Sequence, residues 1–393
     1  MIKRPTAVKI FEYPKYLKKK DLSLKDLKIA RSSHSLSSTK LRELALKTVS
    51  HKKQSQSLSK NYSGIKNSTS SLPSVNNQVR QSNQSVKNLS KPNPIFIKPE
   101  KNVNCSLNSK ELDIAWKTHK GSVGNIPKPN NQDRVLACKS LSTHSQYLVA
   151  VFDGHGPFGH LISGSLHSNF PSTVKSFLNS YPNESLTSVF KKIIDDLESK
   201  LMASNFDLTY SGSTLLSVFF SEQILVCTNI GDSKAILISY NKEWSVRALN
   251  IEHKPYVQEE KRRIERAGGR VNAVIGEDGN FKGPFRARGA KDGPGISVSR
   301  TLGDSYFKQF GVSSEPDVFL EYLTEDDRVV VLGTDGLWDG LSNEEALKAV
   351  SDLWVQKRNA QSIAEALQKI ATNKLKSLSS YQDDLSIAVI IRN

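Results

Sequence analysis

Cysteine is scarce, with three in 393 residues, at Cys105, Cys138 and Cys227, and no paired spacing. That excludes a disulfide scaffold and a cysteine-based zinc site, and it suits a reducing compartment. No apolar run is long enough to span a bilayer. The opening stretch, MIKRPTAVKIFEYPKYLKKK, lacks the apolar core of a secretory signal. It is basic, but Glu12, Asp21 and Asp26 argue against a mitochondrial presequence. No internal repeat is visible.

Acidic residues are also scarce, but only in the first part of the chain. Residues 1–110 carry 23 Lys and Arg against 5 Asp and Glu. The remainder carries 32 against 34, so the formal net charge of +16 belongs to the N-terminal segment. Residues 31–90 contain 17 serines, with many Asn, Gln and Lys and no sustained apolar periodicity. Such a stretch cannot bury enough apolar surface to offset the cost of ordering it, so residues 1–110 read as a disordered segment. Residues 111–393 read as one folded domain, large enough for a substantial core.

The folded part contains four Asp-bearing stretches of one make. VFDGHG closes an apolar run, Tyr147 to Phe152, that reads as a buried strand ending at Asp153. NIGDS carries Asp232, TDGLWDG carries Asp335 and Asp339, and QDDLSIAV carries Asp383 and Asp384. Each borders a strand-like run. A single strand-end Asp reads equally well as a turn former. Four such clusters from distant parts of one chain suggest a convergent site of oxygen ligands, which selects Mg²⁺ or Mn²⁺ over zinc. Two such cations can acidify a shared water and clamp a phosphoryl group.

Other chemistries fail on specific residues. DGHGPFGH satisfies GxGxxG, but Asp153 would face the pyrophosphate, Pro157 sits in the turn, and no second strand ends in an acid about twenty residues on. A thiolate nucleophile with an arginine six residues later is absent, since Glu111, His144 and Ser233 occupy those positions. A serine nucleophile elbow is also missing.

The coarse map has several parts. Ser213 to Phe220 and Gln223 to Asn229 form a hairpin, with Ala235 to Tyr240 expected to pair beside it. Glu252 to Ala267 is helical in pattern, and Asn272 to Pro294 reads as a long loop or flap. A capping box at Ser342 to Glu345 opens a helix. Gln361 to Leu375 is a second helix, and Leu385 to Ile391 is a final strand. Hairpin-paired strands with helices between them indicate an α+β fold rather than a doubly wound one.

The chain resembles the metal-dependent Ser/Thr protein phosphatases of the 2C type. Beyond DGHG, the matching stretches are NQDR (131–134), SGSTL (211–215), GDSKA (231–235), EHKP with ERAGGRV (252–271), ISVSRTLGD (296–304), EPDV (315–318), TDGLWD (334–339) and DDLS (383–386). They fall in the family's order and cover residues 115–393. The resemblance implies two packed antiparallel β-sheets flanked by helices, a four-layer α-β-β-α sandwich. It implies hydrolysis of phosphoserine and phosphothreonine by a metal-bridging hydroxide at a binuclear Mg²⁺/Mn²⁺ site, without a phosphoenzyme. Carried over by motif, Asp153 would bridge both metals and the Gly154 carbonyl would bind the second. Asp335 and Asp383 would complete the pair, and Asp232 and Asp339, with Asp335, would hold a weaker third ion. Asp133 would support the ligands from behind. His155 would be the general acid or, alternatively, an orienting group. Gly212, Ser213, Thr214, Ser299, Arg300 and Asp304 are expected to shape turns, and Trp338 to pack in the core.

Three positions depart from many relatives. Gln132 stands where a Glu is common, which keeps a hold on a metal-bound water but supplies no charge. Lys128 stands where an Arg grips phosphate, which loses the bidentate fork. Asp384 stands where Asn is common and keeps an oxygen ligand. The first two motivate an alternative, a weakly active or inactive phosphoprotein-binding scaffold of the same fold. The expected partners are phosphoprotein substrates, with a monomer as the default and cytoplasm or nucleus as the place. For the basic segment three readings stand: a solvated linker, a tether to an acidic surface, or a kinase-docking peptide within residues 1–60 around Lys18-Lys19-Lys20, Leu22 and Leu24.

Overall fold

Two antiparallel sheets absorb the long apolar runs. The computed structural model describes residues 103–393, apart from 109–110, 125, 140, 142–144, 276–280, 290–292 and 357–358. Apart from residues 103–108, the basic segment and every reading made of it lie outside the described residues. Val103–Asn108 is a strand paired with Leu112–His119, so described structure begins before the compositional boundary at residue 110.

The first sheet has six strands in the order Val103–Asn108, Leu112–His119, Leu385–Arg392, Asp327–Gly333, Lys234–Asn241 and Glu243–Ala248. The second has seven. Its path runs Leu302–Gly303, Gly212–Ser213, Gln146–His155, Leu215–Ser221, Ile224–Ile230 and Asp317–Tyr322, and Asp133–Lys139 also pairs with Gln146–His155.

Side-chain alternation along the strands sets the layers, because neighbouring residues point to opposite faces. In the Gln146–His155 strand, Tyr147, Val149 and Val151 enter a core shared by both sheets. Leu148, Ala150 and Phe152 enter a second core with helices Gly159–Ser180 and Leu186–Met202. In the Asp327–Gly333 strand, Val330 and Leu332 join the inter-sheet core. Val329 and Val331 meet helices Asn343–Val355 and Ala360–Leu378 in a third core. Strands buried on both faces read as unbroken apolar runs. The result is helices, sheet, sheet, helices, the expected four-layer sandwich.

Helix Gly159–Ser180 buries Ile162, Leu166, Phe170, Val174 and Leu178, a clean four-residue spacing that faces the seven-stranded sheet. Helix Asn343–Val355 opens with the capping box foreseen at Ser342 and Glu345.

Local reading went astray in several places. The strand carrying Asp153 continues to His155, because Gly154 and His155 pair with Ser213 and Gly212. The strand after the GDS turn does not extend the hairpin; it crosses to the other sheet and pairs with Asp327–Gly333. The helix expected from Glu252 is confined to Gln258–Arg266, since Pro255 disfavours helical backbone just before it. The stretch read as a loop from Asn272 holds a hairpin, Arg270–Ile275 with Phe281–Arg288, against a small core around Ile264, Ala287 and Phe307. Its arginines hide the period-2 pattern.

The crossing between sheets turns on Gly231, at φ +102°, a conformation that suits glycine. A Cβ there would lie 2.5 Å from the Thr214 Cγ2. Gly231→Ala is expected to cost about 1–3 kcal/mol of unfolding free energy. It should appear as a lower urea midpoint at unchanged m-value. An unaltered midpoint would show that the crossing relaxes without strain.

Candidate metal centre

Strand register brings the carboxylates to one end of each sheet. In the six-stranded sheet, Gly333 pairs with Lys234 on one side and Ile387 on the other, and Leu385 pairs with His119. Asp232, Asp335 and Asp383 therefore leave adjacent strand ends. In the seven-stranded sheet, Asp133 lies directly opposite Asp153. Like charges in that register repel, so something must compensate them.

Asp153, Asp232 and Asp335 each offer a carboxylate oxygen, and the three oxygens lie within 4.8 Å of one another. Burial pushes the Asp153 carboxyl well above the usual carboxylate range, and the charge of Asp335 pushes it further. Burial, then Asp232, does the same to Asp335. Hard oxygen donors, confined and mutually repelling, match what a Mg²⁺- or Mn²⁺-sized cation requires. The donor set therefore fits the group that the motifs imply.

The other expected residues surround this triple without joining it. Asp383 is 40 % exposed at its side chain and accepts from the Lys128 ammonium. The Tyr381 hydroxyl donates to its other oxygen at 3.3 Å. Asp339 is exposed one turn beyond Asp335; burial first, then Asp232, raises its pKa despite the opposing Lys254. The Gly154 amide donates to the Gln132 carbonyl at 3.1 Å. The Gln132 side chain donates to the Gly156 carbonyl at 2.8 Å, bracing the DGHG turn. Lys128 faces Asp383 and Asp384, so its charge serves carboxylates in this geometry. Asp384 is buried and clamps the Gly121 and Gln132 amides at 2.7 and 2.9 Å. Its oxygens are thus engaged with backbone amides and with Lys128.

Asp133 is 1 % exposed. One of its oxygens accepts from the Thr334 hydroxyl at 2.8 Å, and the other has no hydrogen-bond partner among the described residues. Burial, with the charge of Asp384 next, pushes its carboxyl up to about 8. An orphaned buried oxygen beside the triple is a second sign of missing positive charge.

Two side chains in contact with these residues escaped the sequence reading. Lys254, in the EHKP stretch, places Nζ 2.6 Å from the Asp232 Oδ2. Burial works against its charge, but Asp232 more than offsets this and the net shift is upward. Asp304, taken as a turn former, is fully buried and lies 2.6 Å from the His155 Nε2. Thr301 donates to the same Asp304 oxygen at 2.9 Å. A side chain at Gly212 would collide with that oxygen, so the close approach needs glycine. Burial alone would lower the His155 pKa; Asp304 reverses this, and the net direction is up. Spacing could not reveal either pair, because the partners are 22 and 149 residues apart.

The family model described as protein phosphatase 2C matches residues 125–377, well over half of the chain. This chain belongs to the protein phosphatase 2C family. The match includes Asp153, Asp232, Asp335 and Asp339, and Asp383 lies just beyond it. "Probable protein phosphatase 2C 65" from Arabidopsis thaliana is 32 % identical over 284 residues, covering 67 % of this chain and 73 % of that protein. "Probable protein phosphatase 2C 61" from the same plant is 32 % identical over 292 residues, covering 70 % and 84 %. The fold resembles that of a serine-threonine phosphatase 2C from Toxoplasma gondii, with a TM-score of 0.63 at 21 % identity, across 75 % of this chain and all of that one. Membership implies a metal-dependent phosphatase acting on phosphoproteins, consistent with the aspartate triple. No helix among the described residues is long and apolar enough to cross a membrane.

The raised carboxyl pKa values fix a pH dependence. Folded Asp133 holds its proton up to about pH 8, whereas an unfolded Asp loses it near pH 4. Between those values the folded state binds more protons, so its stability falls as pH rises. Asp153 and Asp335 act in the same direction. With chelator present, the melting temperature should drop between about pH 5 and 8, and saturating Mn²⁺ should remove the drop. A flat profile in chelator would contradict the repulsion among buried carboxylates.

Proposed function

We propose that this phosphatase hydrolyses phosphoserine and phosphothreonine in proteins by one-step displacement with water, without a phosphoenzyme. The observation that carries this reading is the convergence of Asp153, Asp232 and Asp335 beside an imidazole backed by a buried carboxylate. Asp153, the Gly154 carbonyl, Asp335 and Asp383 would hold two Mg²⁺ or Mn²⁺ ions, and Asp232 and Asp339, with Asp335, a weaker third. When bound, such ions acidify a shared water and neutralise charge on the transferred phosphoryl group.

The chain's own residues do the rest. Thr214 fixes the strand end that presents Asp153, its hydroxyl oxygen accepting a hydrogen bond from the Asp153 amide at 3.0 Å. Asp133 and Thr334 tie the Asp153 and Asp335 strands together from behind. Lys254 and Lys128 supply positive charge at the rim, where a substrate phosphate must approach. Gln132 braces the DGHG turn and could also hold a water. His155, whose pKa Asp304 raises against the opposing effect of burial and whose side chain is 28 % exposed, is placed to give a proton to the departing serine or threonine oxygen.

Two measurements test this. Asp153→Asn should abolish phosphate release from a phosphothreonine peptide in Mn²⁺ while leaving the protein folded; near-full turnover would refute the ligand assignment. His155→Gln and Asp304→Asn should each slow the peptide reaction by about 10²–10⁴-fold. They should slow p-nitrophenyl phosphate far less, because its leaving group needs no proton. Equal losses on both substrates would assign His155 an orienting role only.

A scaffold that binds phosphoproteins without turnover is favoured by one observation, the commitment of Lys128 to Asp383 and Asp384. Such a scaffold would bind phosphopeptide in Mn²⁺ and release no phosphate.

A further inference from the structure

Behind the aspartates, the end of the Leu112–His119 strand meets the last turns of helix Ala360–Leu378. A pocket lies between them, lined by His119, Lys120, Ser122, Thr372, Lys376 and Gln382 among others. Its lining also includes Gly336 and Asp383, each next to a proposed metal ligand or itself one.

The charge of this lining is unbalanced. Lysines are charged at neutral pH. Neither Lys120 nor Lys376 makes an ion pair, and the His119 side chain makes no hydrogen bond, among the described residues. Lys376 lies in the last helical turn, where the macrodipole favours a cation. Lys120 has no such support. The one carboxylate of the lining, Asp383, already accepts from Lys128 and Tyr381. Burial and then Lys376 hold the His119 pKa down, so at neutral pH the ring is uncharged and keeps one N–H donor. The lining residues thus carry two ammonium groups without an ion pair, an imidazole and the hydroxyls of Ser122 and Thr372, while the Gln382 amide already donates to the Ser379 and Tyr381 carbonyls. This collection of donors suits a tetrahedral oxyanion.

We propose that this pocket is a second anion site, which takes a phosphate group in addition to the one hydrolysed. The group comes either from free inorganic phosphate or from a second phosphorylated residue of a substrate. Through Asp383 and Gly336, occupancy is linked to the metal centre.

The test uses the full chain and follows the His119 ring resonances by NMR. Inorganic phosphate is added in chelator at constant ionic strength, with chloride as the balancing salt. A saturable shift is expected for His119. In Lys120→Met/Lys376→Met the affinity should fall roughly tenfold or more, as loss of charge-assisted contacts implies. No saturable shift, or the same shift in the double variant, would overturn the proposal. This arm needs no turnover, so it stands or falls apart from the phosphatase reading.

A second arm distinguishes the sources. The preference for doubly over singly phosphorylated peptides, as kcat/KM in Mn²⁺, is compared between the wild-type protein and the double variant. A preference that falls toward unity in the variant assigns the site to substrate. An unchanged ratio, alongside the lost His119 titration, assigns it to free phosphate.

Discussion

Repulsion among buried carboxylates is the constraint on which the catalytic end of this protein depends. Asp133 and Asp153 face one another across a strand pair, and Asp153 meets Asp232 and Asp335 across the gap between sheets. Nothing in folding favours this by itself. It persists because three apolar cores fix both sheets before the strand ends are considered. The frame over-determines the positions of the aspartates, and the repulsion is stored as affinity for cations. Lys254 at Asp232 and Lys128 at Asp383 and Asp384 relieve part of it. Neither lysine forms an ion pair with Asp153 or Asp335, whose repulsion stays uncompensated among the described residues.

The supporting groups divide by function. Thr214 and Thr334 use hydroxyls to fix backbone and carboxylate positions without adding charge. Asp384 spends its own charge on two backbone amides and Lys128, holding the loop that carries Gln132. Asp304 is the only one of these directed at a titrating ring. Its αL backbone, at φ 52°, and the glycine opposite it show that the approach to His155 is bought with local strain.

Much of this is legible in the chain because strand ends have a local signature. An apolar run that ends at an Asp with a Gly next to it can be recognised wherever it occurs, and it marks Asp153, Asp232 and Asp335. The capping box at Ser342 is equally local, and it is present. Sheet membership is not local. The runs on either side of GDS look alike, yet they lie in different sheets, because the crossing is set by the backbone of Gly231 and by Asp327–Gly333, nearly a hundred residues on. Lys254 and Asp304 are hidden for the same reason, since their partners are brought to them by folding. Gln132, Lys128 and Asp384 can be seen as departures in sequence, but only contacts show that Asp384 anchors backbone and that Lys128 faces carboxylates.

Lys128 also connects the two faces of the site. Its ammonium pairs with Asp383, and Asp383 also lines the basic pocket. Negative charge entering that pocket would oppose the Asp383 carboxylate and strengthen its need for a cation, whether Lys128 or a divalent ion. Lys128 would in turn be held more tightly, and less of it would be free for substrate phosphate. A cation at Asp383 would have the opposite effect, since it would compete with Lys128 for the carboxylate. An arginine in place of Lys128 would make a fixed bidentate pair, whereas lysine's single flexible ammonium can change partners at small geometric cost. A single flexible ammonium at position 128 therefore gives a weaker static grip on phosphate than a guanidinium fork would, but a grip that can respond to what binds on either side of Asp383.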